Sequence, residues 1–208
     1  LMSIDLTSAV HALRGNFDEA RRLHDEELAA ARELLGRVPS GFYEASWRLE
    51  TLAGDHAAAE MWAGRGYDQL ASFGDHAHAS TQAIFRGVSC YLLGRFDEAR
   101  RYAAAGREMS ASDDAINQYS WRSVEAKLLT REGRIDDAVR LIREAVQLAE
   151  TTDEFLLRWL LCWDRADVAI AAGDPREARA ALEQAVERAE RKGAVVLVDR
   201  ARQRLAEL

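Results

Sequence analysis

Few residues in this chain have the type and spacing that chemistry needs. "DHAHAS" at 75–80 offers His76 and His78 as metal ligands. Residues two apart on a helix project in different directions, so the two imidazoles cannot share one ion, and a solvated helix start is the better reading. "AGRGYD" at 63–68 contains Gly-x-Gly, but a phosphate loop needs a strand before it and a helix after it. Here the motif lies inside a helical stretch. Asp55-His56 has no nucleophile placed beside it, and Asp55 reads as a first-turn acid. No Ser-His-Asp or Cys-His arrangement is visible. "ERAERK" at 187–192 reads as a solvated helix face. The two cysteines, Cys90 and Cys162, stand far apart in apolar surroundings. A disulfide framework or a zinc site needs more than that, so both are predicted to be buried free thiols in a reducing cytoplasm. No catalytic residue, metal or cofactor is expected.

What remains suits binding. Arg86, Glu125 and Arg165 each stand eight residues before a recurring glycine. In register they would stack as a ladder of alternating charge. That ladder is either a structural ion-pair network or the polar floor of a groove, with arginine pairing to a ligand carboxylate or phosphate. Aromatic residues surround these positions: Phe42, Tyr43, Trp47, Tyr119, Trp121, Phe155, Trp159 and Trp163. Trp159 and Trp163 are four apart and share one helix face, and tryptophan is enriched where proteins bind; the competing role is packing between helices. The candidate groove residues are Glu44, Arg48, Arg86, Ser120, Trp121, Arg122, Ser123, Glu125, Lys127, Trp159, Trp163, Arg165 and Asp167.

The elements that would position them follow from a repeat. "GNFDEA", "GDHAAA", "GRFDEA", "GRIDDA" and "GDPREA" begin at Gly15, Gly54, Gly94, Gly133 and Gly173, spaced 39, 40, 39 and 40 residues apart. A fixed period in this range marks a repeat array. Five residues after each glycine comes an alanine: Ala20, Ala59, Ala99, Ala138 and Ala178. Small residues recur at two further offsets, at Gly66, Gly106, Ala145 and Ala185 and at Gly87, Ala126 and Ala166. The pattern is a helix, a glycine turn and a second antiparallel helix, with small residues where two backbones approach. "AVRLIREAVQLAE" shows the apolar stripe of period 3.6, and acids after the glycine suit the positive helix N-terminus. The only prolines, Pro39 and Pro175, fall where helices would begin.

These offsets resemble the tetratricopeptide repeat, here lengthened to about 40 residues and without that family's trailing proline. From about Gly41 onward, "LAGDHAAAE", "YLLGRFDEAR", "YSWRSVEAKLLTREGRIDDAVRLIREAV" and "RADVAIAAGDPREARAALEQAVERAERKG" resemble the C-terminal helical-repeat region of large bacterial signalling proteins. Those carry a cyclase-like or DNA-binding module and an ATPase module ahead of the repeats. The cyclase and ATPase motifs are absent here, so the resemblance implies no catalysis. In tetratricopeptide arrays the first helices line the concave surface, and the resemblance implies that binding occurs there.

The expected fold is therefore an all-α, right-handed tetratricopeptide-like α-solenoid of about five antiparallel helix pairs plus a C-terminal capping helix. The single domain 1–208 divides into repeats near 1–37, 38–74, 75–110, 111–150 and 151–192, with the cap at 194–207. In the cap, "AVVLVDRARQRLAEL" would turn its apolar half inward and leave Arg200, Arg202 and Arg204 outside. The short stretch before Gly15 and the initial Leu suggest a piece of a longer chain. No apolar run reaches the roughly 20 residues that span a bilayer. The formal net charge of −7 argues against direct nucleic-acid binding, which depends on clustered Lys and Arg. The expected partner is a protein or peptide, including upstream domains of the same polypeptide. The alternatives are a small anion held among Arg86, Arg122 and Arg165, or a homodimer.

Overall fold

A computed structural model describes the backbone of residues 2–208 and the side chains from Leu6 onward. Those residues form eleven α-helices and no strand. Five helix pairs run in order: α1 (Met2–Leu13) with α2 (Phe17–Leu35), α3 (Ser40–Ala53) with α4 (His56–Ser72), α5 (His76–Leu92) with α6 (Phe96–Met109), α7 (Ala115–Arg131) with α8 (Ile135–Ala149), and α9 (Phe155–Ala171) with α10 (Pro175–Arg191). A last helix, α11 (Val195–Ala206), caps them. The fold is a tetratricopeptide-like solenoid.

The recurring glycine turns the chain inside each pair. Gly94 has φ +75°, in the left-handed region that other residues resist, and the other four glycines of the series share that conformation. Side chains then start many of the helices. Asp55, Asp75, Asp114 and Asp174 each accept a hydrogen bond from the backbone N–H three residues on, satisfying one of the donors a helix start leaves open.

The small-residue offsets mark where helices touch. A Cβ on Gly87 would lie 3.1 Å from the Ala99 carbonyl oxygen and 3.1 Å from the Ala103 nitrogen, so α5 meets α6 backbone to backbone. The five alanines of the series are fully buried. Gly66 occupies a similar place on α4: a Cβ there would lie 2.8 Å from Tyr43 Cβ. The Gly-x-Gly is thus a packing feature, as its spacing predicts.

Each second helix packs between its own first helix and the next, and the first helices α1, α3, α5, α7 and α9 stack side by side. Trp47 of α3 stacks on Phe85 of α5 with ring centroids 4.0 Å apart and donates through Nε1 to Ser89 Oγ at 3.0 Å. The array also bends far enough for its ends to meet. Besides packing on α10, α11 reaches α1. Val196 Cγ2 lies 3.1 Å from where a Cβ on Gly15 would stand, and Arg200 Nη2 donates to the Leu52 carbonyl at 2.9 Å.

Two expectations about charged side chains change. Arg200 points inward from the cap, and Arg204 reaches Asp167 of α9 at 3.2 Å; only Arg202 lies on the outside, paired to Glu190. Within 187–192, Arg188 is largely buried and holds Glu150 at 2.8 Å. Both differences arise because a long arginine can follow the packed surface of its neighbours and place its charge on an acid there.

Candidate functional site

The first helices α3, α5, α7 and α9, the start of α4 and the cap α11 line an open cavity of about 380 Å³. Its lining is mostly apolar. Val88 and Leu92 come from α5, Leu156 and Leu160 from α9, and Leu197 from α11. Trp159 and Trp163 add two rings from α9, tilted by 39° with centroids 5.2 Å apart. Successive helical turns of α9 deliver this surface, because 156, 159, 160 and 163 repeat at spacings of three, one and three.

A polar cluster sits within this apolar wall. Lys127 Nζ of α7 lies 2.7 Å from Asp164 Oδ1 of α9, Ser123 Oγ donates to Asp164 Oδ2 at 2.5 Å, and the ammonium rests 4.1 Å from the centre of the Tyr91 ring. The acid and the ring satisfy the ammonium, and the hydroxyl occupies the acid's other oxygen, as a buried pair of charges requires.

Thr51, Ser120 and two ionisable side chains far apart in the sequence, His56 and Arg200, also line the cavity. His56 opens α4, and Arg200 belongs to the cap. Burial, followed by the nearby Arg200 charge, holds the His56 imidazole below its ordinary range. Burial alone lowers the Arg200 guanidinium. Among the described residues no carboxylate lies within ion-pair distance of Arg200; its hydrogen bond goes to the Leu52 carbonyl.

Five of the residues singled out from the sequence line this cavity: Ser120, Ser123, Lys127, Trp159 and Trp163. Tyr119 lines it too. Arg48 holds Glu44 and the N-capping Glu154 of α9, and so ties α3 to α9. Asp167 holds Arg204, and burial, followed by the Asp164 charge, raises its carboxyl above the usual range.

The remaining candidates face second helices. Arg86 holds Glu60 of α4 at 2.7 Å and lies over the Tyr102 ring of α6. Glu125 faces Arg100 of α6 at 3.8 Å, and Arg165 holds Glu177 of α10 at 2.6 Å. The three positions therefore do not form a ladder: each pairs with a second helix instead of with its equivalent in the next repeat. The guanidinium groups of Arg107 and Arg122 both lie over the Trp121 ring, 4.6 and 4.2 Å from its centre, and Arg122 reaches Glu144 at 3.4 Å. Arg86, Arg122 and Arg165 are thus each neutralised by a glutamate of a second helix. Spacing gave these positions an equivalent place in the repeat, but not the direction in which they face.

Four polar residues of the cavity were missed: Thr51, Asp164, His56 and Arg200. Asp164 had a signal. It follows Trp163 directly, and Lys127, its partner, is one of only two lysines in the chain. His56 and Arg200 had none, because the bend that brings α11 back to α3 is a property of the whole array.

Sequence and structure comparisons agree on the repeat. Tetratricopeptide-repeat patterns match residues 80–105 and 159–184, and a second such pattern matches residues 3–40. No curated protein matches the chain. Among solved structures, BtubC from P. vanneervenii is similar at 20% identity and TM-score 0.60, over 89% of this chain and 78% of that one. NprR in complex with its cognate peptide NprX is similar at 17% identity and TM-score 0.70, over 93% of this chain and 58% of that one. The apo form of the quorum sensor NprR from B. thuringiensis is similar at 16% identity and TM-score 0.62, over 94% of this chain and 56% of that one. The chain thus spans under two thirds of the NprR structures. It carries tetratricopeptide repeats in a tetratricopeptide-like solenoid. No helix among the described residues is long and apolar enough to cross a membrane, and no cluster of three metal-ligating side chains occurs among them.

Proposed function

We propose that this chain is a non-catalytic binding module that takes a peptide or protein segment on its concave side. The observation that carries this reading is the apolar cavity among the first helices, lined by two tryptophans and by leucines from α9 and α11. A pocket of this size, apolar with a few polar groups, is the usual form of a ligand site. The similarity to NprR, solved with its cognate peptide, supports a peptide as occupant. The tetratricopeptide-type fold is typically non-catalytic, which favours binding over an enzyme. The module serves as the regulatory part of a larger cytoplasmic signalling protein, and domains of the same polypeptide are among its partners.

The test is a peptide array probed with the wild-type chain and with Trp163→Ala, both first checked by circular dichroism. Peptides bound by wild type and lost by the variant support the concave site. Equal binding by both places the partner on another surface.

Self-association is a second reading. Leu34, Leu35 and Phe73 stand exposed at helix ends, at 71%, 56% and 66%. A mass in solution that stays monomeric at every concentration removes it.

A further inference from the structure

Resting on the peptide reading above, we infer that the cavity receives the C-terminal end of its peptide, with a large apolar last residue inside and the terminal carboxylate on Arg200. The first observation is charge. Arg48, Arg86, Arg122, Arg165, Arg188 and Arg204 all hold a carboxylate. Lys127 is matched by Asp164. Arg200 is half-buried at the cavity wall with a backbone carbonyl as its partner and no acid. A buried charge without a counter-charge is costly, so the site gains most from a ligand that brings one. A guanidinium suits a carboxylate because its planar fork donates two parallel hydrogen bonds.

The second observation is shape. The apolar lining continues from Leu197, one turn before Arg200 on α11, across to Leu157 and Trp159. A carboxylate on Arg200 therefore comes with an apolar group directly attached. At about 380 Å³ the cavity is near the lower end of ligand pockets, roughly 300–1,000 Å³. That suits a terminal residue better than a segment running through. A chain that ends there also needs no exit past α11.

The experiment uses two hexapeptide libraries with the same residues, one with free C-termini and one amidated, and decanoate as a carboxylate without peptide groups. Binding is measured on the wild-type chain and on Arg200→Met. The inference expects free-acid peptides ending in Leu, Ile, Phe or Trp to bind about tenfold or more tightly than their amides, as loss of a charge-assisted hydrogen bond implies. It expects Arg200→Met to remove that difference. Peptides that bind equally as acid and amide overturn the inference and leave the concave-binding reading standing. No binder in either library overturns both. Decanoate bound in preference to every peptide also overturns it and makes the occupant a small amphipathic acid. The acid–amide comparison is made on wild type, so it decides the matter even if Arg200→Met does not fold.

Discussion

Lys127 and Asp164 form an ion pair at 2.7 Å between α7 and α9, with their side chains only 3% and 12% exposed. The pair joins two adjacent first helices at the wall of the cavity. Such a pair is a poor source of net stability, since taking two charges out of water costs about as much as their attraction returns. Losing one member is another matter, because it strands the other, at a cost of about 3–5 kcal/mol.

Lys127→Met alone is therefore expected to lower unfolding stability by about 3–5 kcal/mol. Adding Asp164→Leu should recover most of that loss. Denaturant titration of the wild type, both single variants and the double variant gives the coupling. If the double variant is as unstable as the singles combined, the pair's value lies elsewhere, in packing around Tyr91.

The glycines divide into two kinds that one substitution pattern separates. Gly106 sits where a Cβ would meet the Ile84 side chain and, at 2.9 Å, the Ser80 carbonyl oxygen. Gly133 has open space around it, but its φ is +76°. Gly106→Ala should cost about 1–3 kcal/mol through overpacking. Gly133→Ala should cost about 1–2 kcal/mol through its left-handed backbone. Asparagine tolerates that backbone, so Gly133→Asn should recover part of the loss, whereas Gly106→Asn should be worse than Gly106→Ala. Thermal melts of the four variants check the ranking.

The same contrast shows what could be read before the structure. The turns and the close contacts were legible because a repeat writes the same requirement five times, at Gly94 and Ala99 as at Gly133 and Ala138. Part of the site was legible as well: Ser120, Ser123, Lys127, Trp159 and Trp163 lie on first helices and line the cavity. The facing of Arg86, Glu125 and Arg165 was not legible, because one position along the helix rotates a side chain by about 100°. Arg200 was hidden for a different reason. Its role depends on the curvature summed over the whole array, which no local pattern encodes.

His56 gives a pH dependence with a definite sign. Its imidazole is held below the ordinary value of 6.5, first by burial and then by Arg200, with Lys127 adding to this and Asp55 opposing it. The unfolded chain therefore binds the proton more readily, and stability contributed by neutral His56 is present above about 6.5 and falls as pH drops through the range down to the folded value. His56→Gln should flatten this part of the stability profile and leave the neutral-pH plateau close to wild type. Melting temperature measured across mildly acidic pH tests this. An unchanged slope would assign the acid sensitivity to other groups.

Cys90 and Cys162 give the last prediction. Both are free and buried, one on α5 and one on α9. Burial pushes the Cys90 thiol up to about 11 and raises Cys162 as well. The thiolate is the reactive form, and ordinary cysteine titrates near 8.5. Both thiols should therefore react with a disulfide reagent far more slowly in the folded chain than in denaturant, where two equivalents should titrate quickly. Their labelling rate should follow opening of the array, so an added concave-site ligand should slow it, because binding to the folded state raises stability. A thiol that labels at once in the folded chain would show that its helix is not packed as described, and the location of that cysteine would identify which pair opens.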